Sequence, residues 1–156
     1  PQVRQNLSTL ASQELIFEAQ LSLSDKAGVE LLNAIMTENP GFKVIVNHCG
    51  SPAQLDQQWM DSVVLLAHQP ECYMKCSGWE MLDREWDVEK VKPLVNFAIR
   101  QFGLTRVMMA SNFPVSELSI SYSELWQRYL KEMKWKGFER EMLCFENAKR
   151  IYQLDF

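Results

Sequence analysis

Apolar positions along the chain follow two alternating rhythms, short β-type runs and longer stretches with helical spacing. Val3, Leu7 and Leu10 recur at helical intervals and predict a helix over residues 1–12. LIFEAQLS, residues 15–22, predicts a strand. Ser24 then reads as a helix cap with Asp25 in the first turn, opening a helix through Val29, Leu32 and Met36. ENPG ends it, and residues 42–48, FKVIVNH, predict a second strand. Gly50, Ser51 and Pro52 are expected to open a helix through Trp59, Val63 and Leu66, stopped by Gln69 and Pro70. A third strand is expected over residues 71–77, with a loop at Gly78. Asp87 caps the next helix, which Gly103 closes, and residues 106–111 predict a fourth strand. Two helices finish the pattern, over residues 122–133 and 138–151, with a break near Gly137.

Strands that each lead into a helix, with no hairpin signal between them, predict an α/β fold with a parallel sheet and right-handed crossovers. Alternation divides each strand into two faces. Phe17, Ala19 and Leu21 oppose Glu18, Gln20 and Ser22, while Cys72, Met74 and Cys76 oppose Tyr73, Lys75 and Ser77. Val44, Val46 and His48 fall on one face of the second strand, as do Val107, Met109 and Ser111 on the fourth. A doubly wound sheet buries both faces, which makes such polar faces costly. A barrel interior accommodates them near its carboxyl-end rim. Gln20, His48, Lys75 and Asn112 all fall at or near strand ends. Taken singly, each is a loop-bonding residue; as a set, they predict the functional mouth of a (β/α) barrel.

Composition narrows the function classes. Sixteen basic and twenty acidic residues give a net charge of −4, which argues against a general nucleic-acid binder. No apolar run approaches the roughly 18 residues needed for a bilayer span, so no membrane partner is expected. The first residues, PQVRQNLSTL, carry no secretory or transit pattern, and a cytoplasmic location is the expectation. Cys49, Cys72, Cys76 and Cys144 lack the spacing of a zinc knuckle or a redox motif and are expected to be reduced packing residues. The Met108–Met109 pair reads as core, and His68, near a helix end, is expected to be exposed against terminal carbonyls.

VIVNHCGSP at 44–52 with Trp59 after it, CYMKCSG at 72–78, RVMMASNFP at 106–114 and FENAKRIYQL at 145–154 occur in a telling order. With FEAQ at 17–20, they resemble the C-terminal half of the amidohydrolase-related (amidohydrolase 2), metal-dependent hydrolase family, which includes sugar lactonases and 2-pyrone-4,6-dicarboxylate lactonase. The resemblance covers nearly the whole chain. It implies a TIM-type (β/α)8 barrel of which residues 1–156 form one partial domain, about four βα units. The implied activity is hydrolytic opening of a sugar lactone or carboxylated lactone by water attack.

By the same resemblance, His48 matches a histidine that contacts metal or substrate. Its imidazole can ligate a divalent ion such as zinc or polarise a lactone carbonyl. Asn112 departs from the family pattern, because many relatives carry an aspartate there as general base. An amide has no basic pKa in the useful range, so His48, Glu18 or a group beyond this chain would take the proton. Asn112 retains the capacity to hold water or substrate by hydrogen bonds. Glu18, Gln20, Lys75, Ser77 and Trp79 complete the expected substrate contacts, with a Lys75–Glu18 ion pair as the competing reading for Lys75. Trp59, Asn147 and Tyr152 are expected to be scaffold. The family's His-x-His motif is absent; His48 and His68 are the only histidines. A partial sequence and a half-barrel completed by self-association are both consistent with that. So are two function classes, a lactonase whose other half lies elsewhere and a non-catalytic binding or interaction protein.

Overall fold

The computed structural model describes residues 2–52 and 54–156. Four strands, β1 (Phe17–Ala19), β2 (Val44–Val46), β3 (Cys72–Cys76) and β4 (Val107–Met109), lie in the order β1-β2-β3-β4. All three pairings are parallel, with Glu18 opposite Ile45, Ile45 opposite Tyr73 and Lys75 opposite Met108. Strands in sequential order joined by helical crossovers match the expected piece of a TIM-type barrel. Each strand is shorter than the sequence pattern suggests. Residues are lost at both ends, and at the carboxyl ends the chain turns into loops and abandons strict alternation.

Register sorts the side chains cleanly. Ala19, Val44, Val46, Cys72, Met74, Cys76, Val107 and Met109 are buried in the main core. The helices bring their apolar stripes to it. These are α1 (Gln2–Ser12), α2 (Lys26–Glu38), α3 (Gln57–Ala67), α4 (Val88–Phe102) and α5 (Tyr122–Glu132). From α2 come Val29, Leu32, Ile35 and Met36; from α4 come Val91, Leu94, Val95 and Ala98. The opposite sheet face carries Glu18, Ile45, Tyr73, Lys75 and Met108. There Ile45, Tyr73 and Met108 form a smaller cluster with Ile151. The Met pair is core, as expected, divided between the two faces.

Caps and turns refine the sequence reading. Asp25, rather than Ser24, caps α2 by accepting the Gly28 N–H. The helix expected to open at Gly50, Ser51 and Pro52 begins later, where Asp56 accepts the Trp59 N–H. A tight turn over Asn47–Gly50 follows β2 directly. Trp59 is buried and donates its indole N–H to the Cys49 carbonyl at 2.9 Å, tying α3 to that turn. The final helical stretch comprises α6 (Gly137–Glu141), a π turn (Met142–Glu146) and α7 (Asn147–Tyr152). Asn147 is buried and donates to the carbonyls of Leu104 and Val107 at 2.7 Å each, fastening this stretch to β4. All four cysteines are free. His68 is exposed, and its Nδ1–H donates to the Val64 carbonyl. Among the described residues, no helix is long and apolar enough to cross a membrane.

Candidate functional site

At the carboxyl ends of the strands the backbone enters left-handed conformations that place polar side chains together. His48 and Cys49 have φ of 54° and 53°, and Asn112 has φ of 58°. The break at Asn47 corrects the expectation that His48 shares a face with Val44 and Val46. The imidazole instead turns toward the segment after β3, where Nδ1 shares a hydrogen bond of 3.1 Å with Ser77 Oγ. Gly78 packs against the ring so closely that a Cβ there would lie 2.6 Å from Nδ1. Burial holds the His48 pKa below its ordinary value; Lys75 adds to this, and the charges of Glu80 and Glu18 oppose it. The imidazole is therefore neutral at pH 7 and able to accept a proton.

Glu80, absent from the sequence-derived set, lies in the turn Trp79–Met81 and is only 4% exposed. Its Oε1 accepts a 2.6 Å hydrogen bond from Asn112 Nδ2. Its Oε2 is buried and unpartnered among the described residues. The available signal was faint, a lone carboxylate beyond the third strand with no visible link to Asn112. Trp79, expected to cover a sugar-like ring, is 3% exposed and donates its indole N–H to the Tyr129 hydroxyl at 2.8 Å. It packs the turn that carries Glu80, leaving little ring surface for a ligand.

Farther down the same sheet face, Lys75 Nζ lies 3.0 Å from Glu18 Oε2, the ion pair weighed from the sequence. Glu18 also accepts from Asn47 at 3.1 Å and from the Tyr152 hydroxyl. Lys75 rests 5.3 Å from the Tyr152 ring centroid. Burial would raise the Glu18 pKa, but the hydrogen bonds from Tyr152, Lys75 and Asn47 outweigh it and leave the value lowered. Tyr152 thereby carries the last helix onto the first strand, a scaffold role. Gln20 is exposed just past β1 and borders an apolar cavity lined by Leu7, Phe17, Leu31 and Leu32, apart from the His48 cluster.

A metal has a poor fit among the described residues. Among the described residues, no three His, Cys, Asp or Glu side chains converge as a ligand set. A lone imidazole already bonded through Nδ1 falls short of the three or four donors that zinc takes from proteins.

Four parallel βα units with polar groups at their carboxyl ends define a piece of a (β/α) barrel with its mouth on that side. The chain belongs to the amidohydrolase family, whose profile matches residues 16–154. An uncharacterized protein, y4mH, of Sinorhizobium fredii is 32% identical over 160 residues, covering 99% of this chain and 52% of that protein. An L-fucono-1,5-lactonase of Burkholderia ambifaria is 24% identical, covering 99% of this chain and 56% of the lactonase. The crystal structure of a Burkholderia multivorans amidohydrolase with bound zinc superposes with a TM-score of 0.82 at 21% identity. That match covers 97% of this chain and 57% of the other. The chain spans about half the length of the curated relatives it matches.

Proposed function

We propose that this chain is the C-terminal half of an amidohydrolase-type barrel that opens a lactone by attack of water. The observation that carries the reading is His48, a neutral imidazole oriented by Ser77 and Gly78 beside the Glu80–Asn112 pair. Kinship to the L-fucono-1,5-lactonase supports a lactone as the substrate class. His48 is the candidate for polarising the carbonyl or taking a proton from water, Asn112 for holding that water or a substrate hydroxyl, and Ser77 for setting the ring. Lys75 is already met by Glu18 at 3.0 Å. Its charge is therefore spent, and a neutral, hydroxyl-rich sugar lactone suits the site better than a carboxylated one. The remaining four strands, and any divalent metal such as zinc, would come from outside residues 1–156. A preceding segment and a second copy of the chain are the two candidate sources. The Asn112 amide favours one second reading, a barrel homologue that binds a small molecule without turning it over.

Lactone opening releases a proton and is followed by a pH indicator, in the chain alone and in any naturally longer form of it. His48→Ala is expected to lower the rate by about 100-fold, the scale of lost acid–base or electrophilic help. Wild-type turnover in that variant would remove His48 from the chemistry. Binding of sugar lactones without turnover would favour the second reading.

A further inference from the structure

Asn112 stands at the strand end where the family's aspartate is expected, and its amide is not free to rotate. The left-handed backbone at Asn112 is held by its own carbonyl, which accepts the Ser116 N–H at 3.2 Å. Its side-chain nitrogen meets Glu80 Oε1 at 2.6 Å. A carboxylate only accepts hydrogen bonds, so it admits the NH2 end of the amide and turns Oδ1 away. The N–H bond to a charged acceptor also polarises the amide and makes Oδ1 a stronger acceptor.

Stability does not account for Glu80. Among the described residues, a carboxylate 4% exposed has one oxygen held by a single amide and the other buried without a partner, which is costly to keep. The cost is sustained by a firmly built turn, anchored by the Trp79 indole on Tyr129 and by the Met81 N–H on the Gly78 carbonyl at 3.1 Å. The same Gly78 packs against His48, so one short segment sets both the imidazole and the amide.

We propose that Glu80 is a positioning residue that acts through Asn112. The two side chains work as one divided carboxylate: Glu80 supplies the negative charge, and Asn112 presents it as an oriented, polarised Oδ1. The ligand class for that oxygen is a hydroxyl donor, either the attacking water or a substrate hydroxyl. The choice of ligand rests on the lactonase reading, whereas the lock between the two side chains is a property of this chain alone.

The lock is read by NMR on the 15N-labelled 156-residue chain, with the Asn112 side-chain amide assigned by its absence in Asn112→Asp. One of its protons is expected downfield of the other Asn and Gln side-chain signals and slow to exchange. Glu80→Gln, which keeps an acceptor but removes its charge, should move that proton upfield and speed its exchange. An amide unchanged by Glu80→Gln overturns the proposal. Melting temperatures supply a second arm. Asn112→Asp sets two carboxylates face to face and should lower the melting temperature by about 4 °C or more at pH 7. The double variant Glu80→Gln/Asn112→Asp restores one amide facing one carboxylate and should regain most of that loss. A double variant no more stable than Asn112→Asp also overturns it.

In lactone opening, Glu80→Gln is expected to lower kcat by roughly 10-fold with KM unchanged, since orientation rather than binding is lost. An unchanged kcat in a turnover-competent protein counts against the positioning role. Absence of lactone opening in the naturally longer form of the protein, with the amide signature and the melting cycle as expected, overturns the lactonase reading and leaves the pair standing.

Discussion

His48 owes its place to a residue with no side chain. Gly78 has φ of +74°, and a Cβ there would meet the ring at 2.6 Å from Nδ1 and 2.8 Å from Cγ. The clash cannot be relieved cheaply, because the backbone conformation itself favours glycine. Gly78→Ala is expected to cost about 1–3 kcal/mol in urea unfolding and to displace the imidazole from Ser77. A wild-type midpoint would mean that the ring moves aside without strain. Gln20, His48, Lys75 and Asn112 were visible in the sequence as polar residues near strand ends, although Gln20 lies apart from the His48 cluster. Glu80 was not, because its partner lies 32 positions away and is reached only through two loops. Trp79 was misleading for a related reason: an aromatic residue in a predicted loop looks available to ligand until the fold supplies Tyr129 beneath it.

Helices and strands were located from periodicity, but their ends were decided by specific hydrogen bonds. Asp25 and Asp56 cap α2 and α3 by accepting free N–H groups of the first turn, where their negative charge also meets the positive end of the helix dipole. The final helix illustrates the same point at its middle. FENAKRIYQL shows helical spacing, yet nothing in it signals that Asn147 bridges the carbonyls of Leu104 and Val107. Those two acceptors sit where α4's connection enters β4, so one amide sets the register of the last helix against the last strand. Asn147→Ala is expected to lose about 2–3 kcal/mol, because two carbonyls are left without a donor in a buried setting. The measurement is equilibrium denaturation. A loss below the size of one exposed hydrogen bond would show that water replaces the amide freely.

Across the whole molecule, the polar network on the inner sheet face joins the two ends of the chain. Tyr152 reaches Glu18 across 134 positions, and Lys75 and Asn47 close the group from the strands between. The lowered pKa of Glu18 fixes the sign of its contribution. Stabilisation is fully present above the ordinary carboxylate value of 4.5 and is lost as pH falls through the lower folded value. Tyr152→Phe is expected to cost about 1 kcal/mol at pH 7 and progressively less as Glu18 becomes protonated. Equal costs at pH 7 and at strongly acid pH would separate the hydroxyl from the Glu18 charge. The sequence alone determined the parallel βα order, the core faces of the strands and the family, because periodicity and short motifs are local properties of the chain. Tertiary structure decided which polar residues meet. The left-handed turns after β2 and β4 override strand alternation, and the segment after β3 converts a distant glutamate into the partner of Asn112. Such contacts depend on loop closure over tens of residues, which no local pattern encodes.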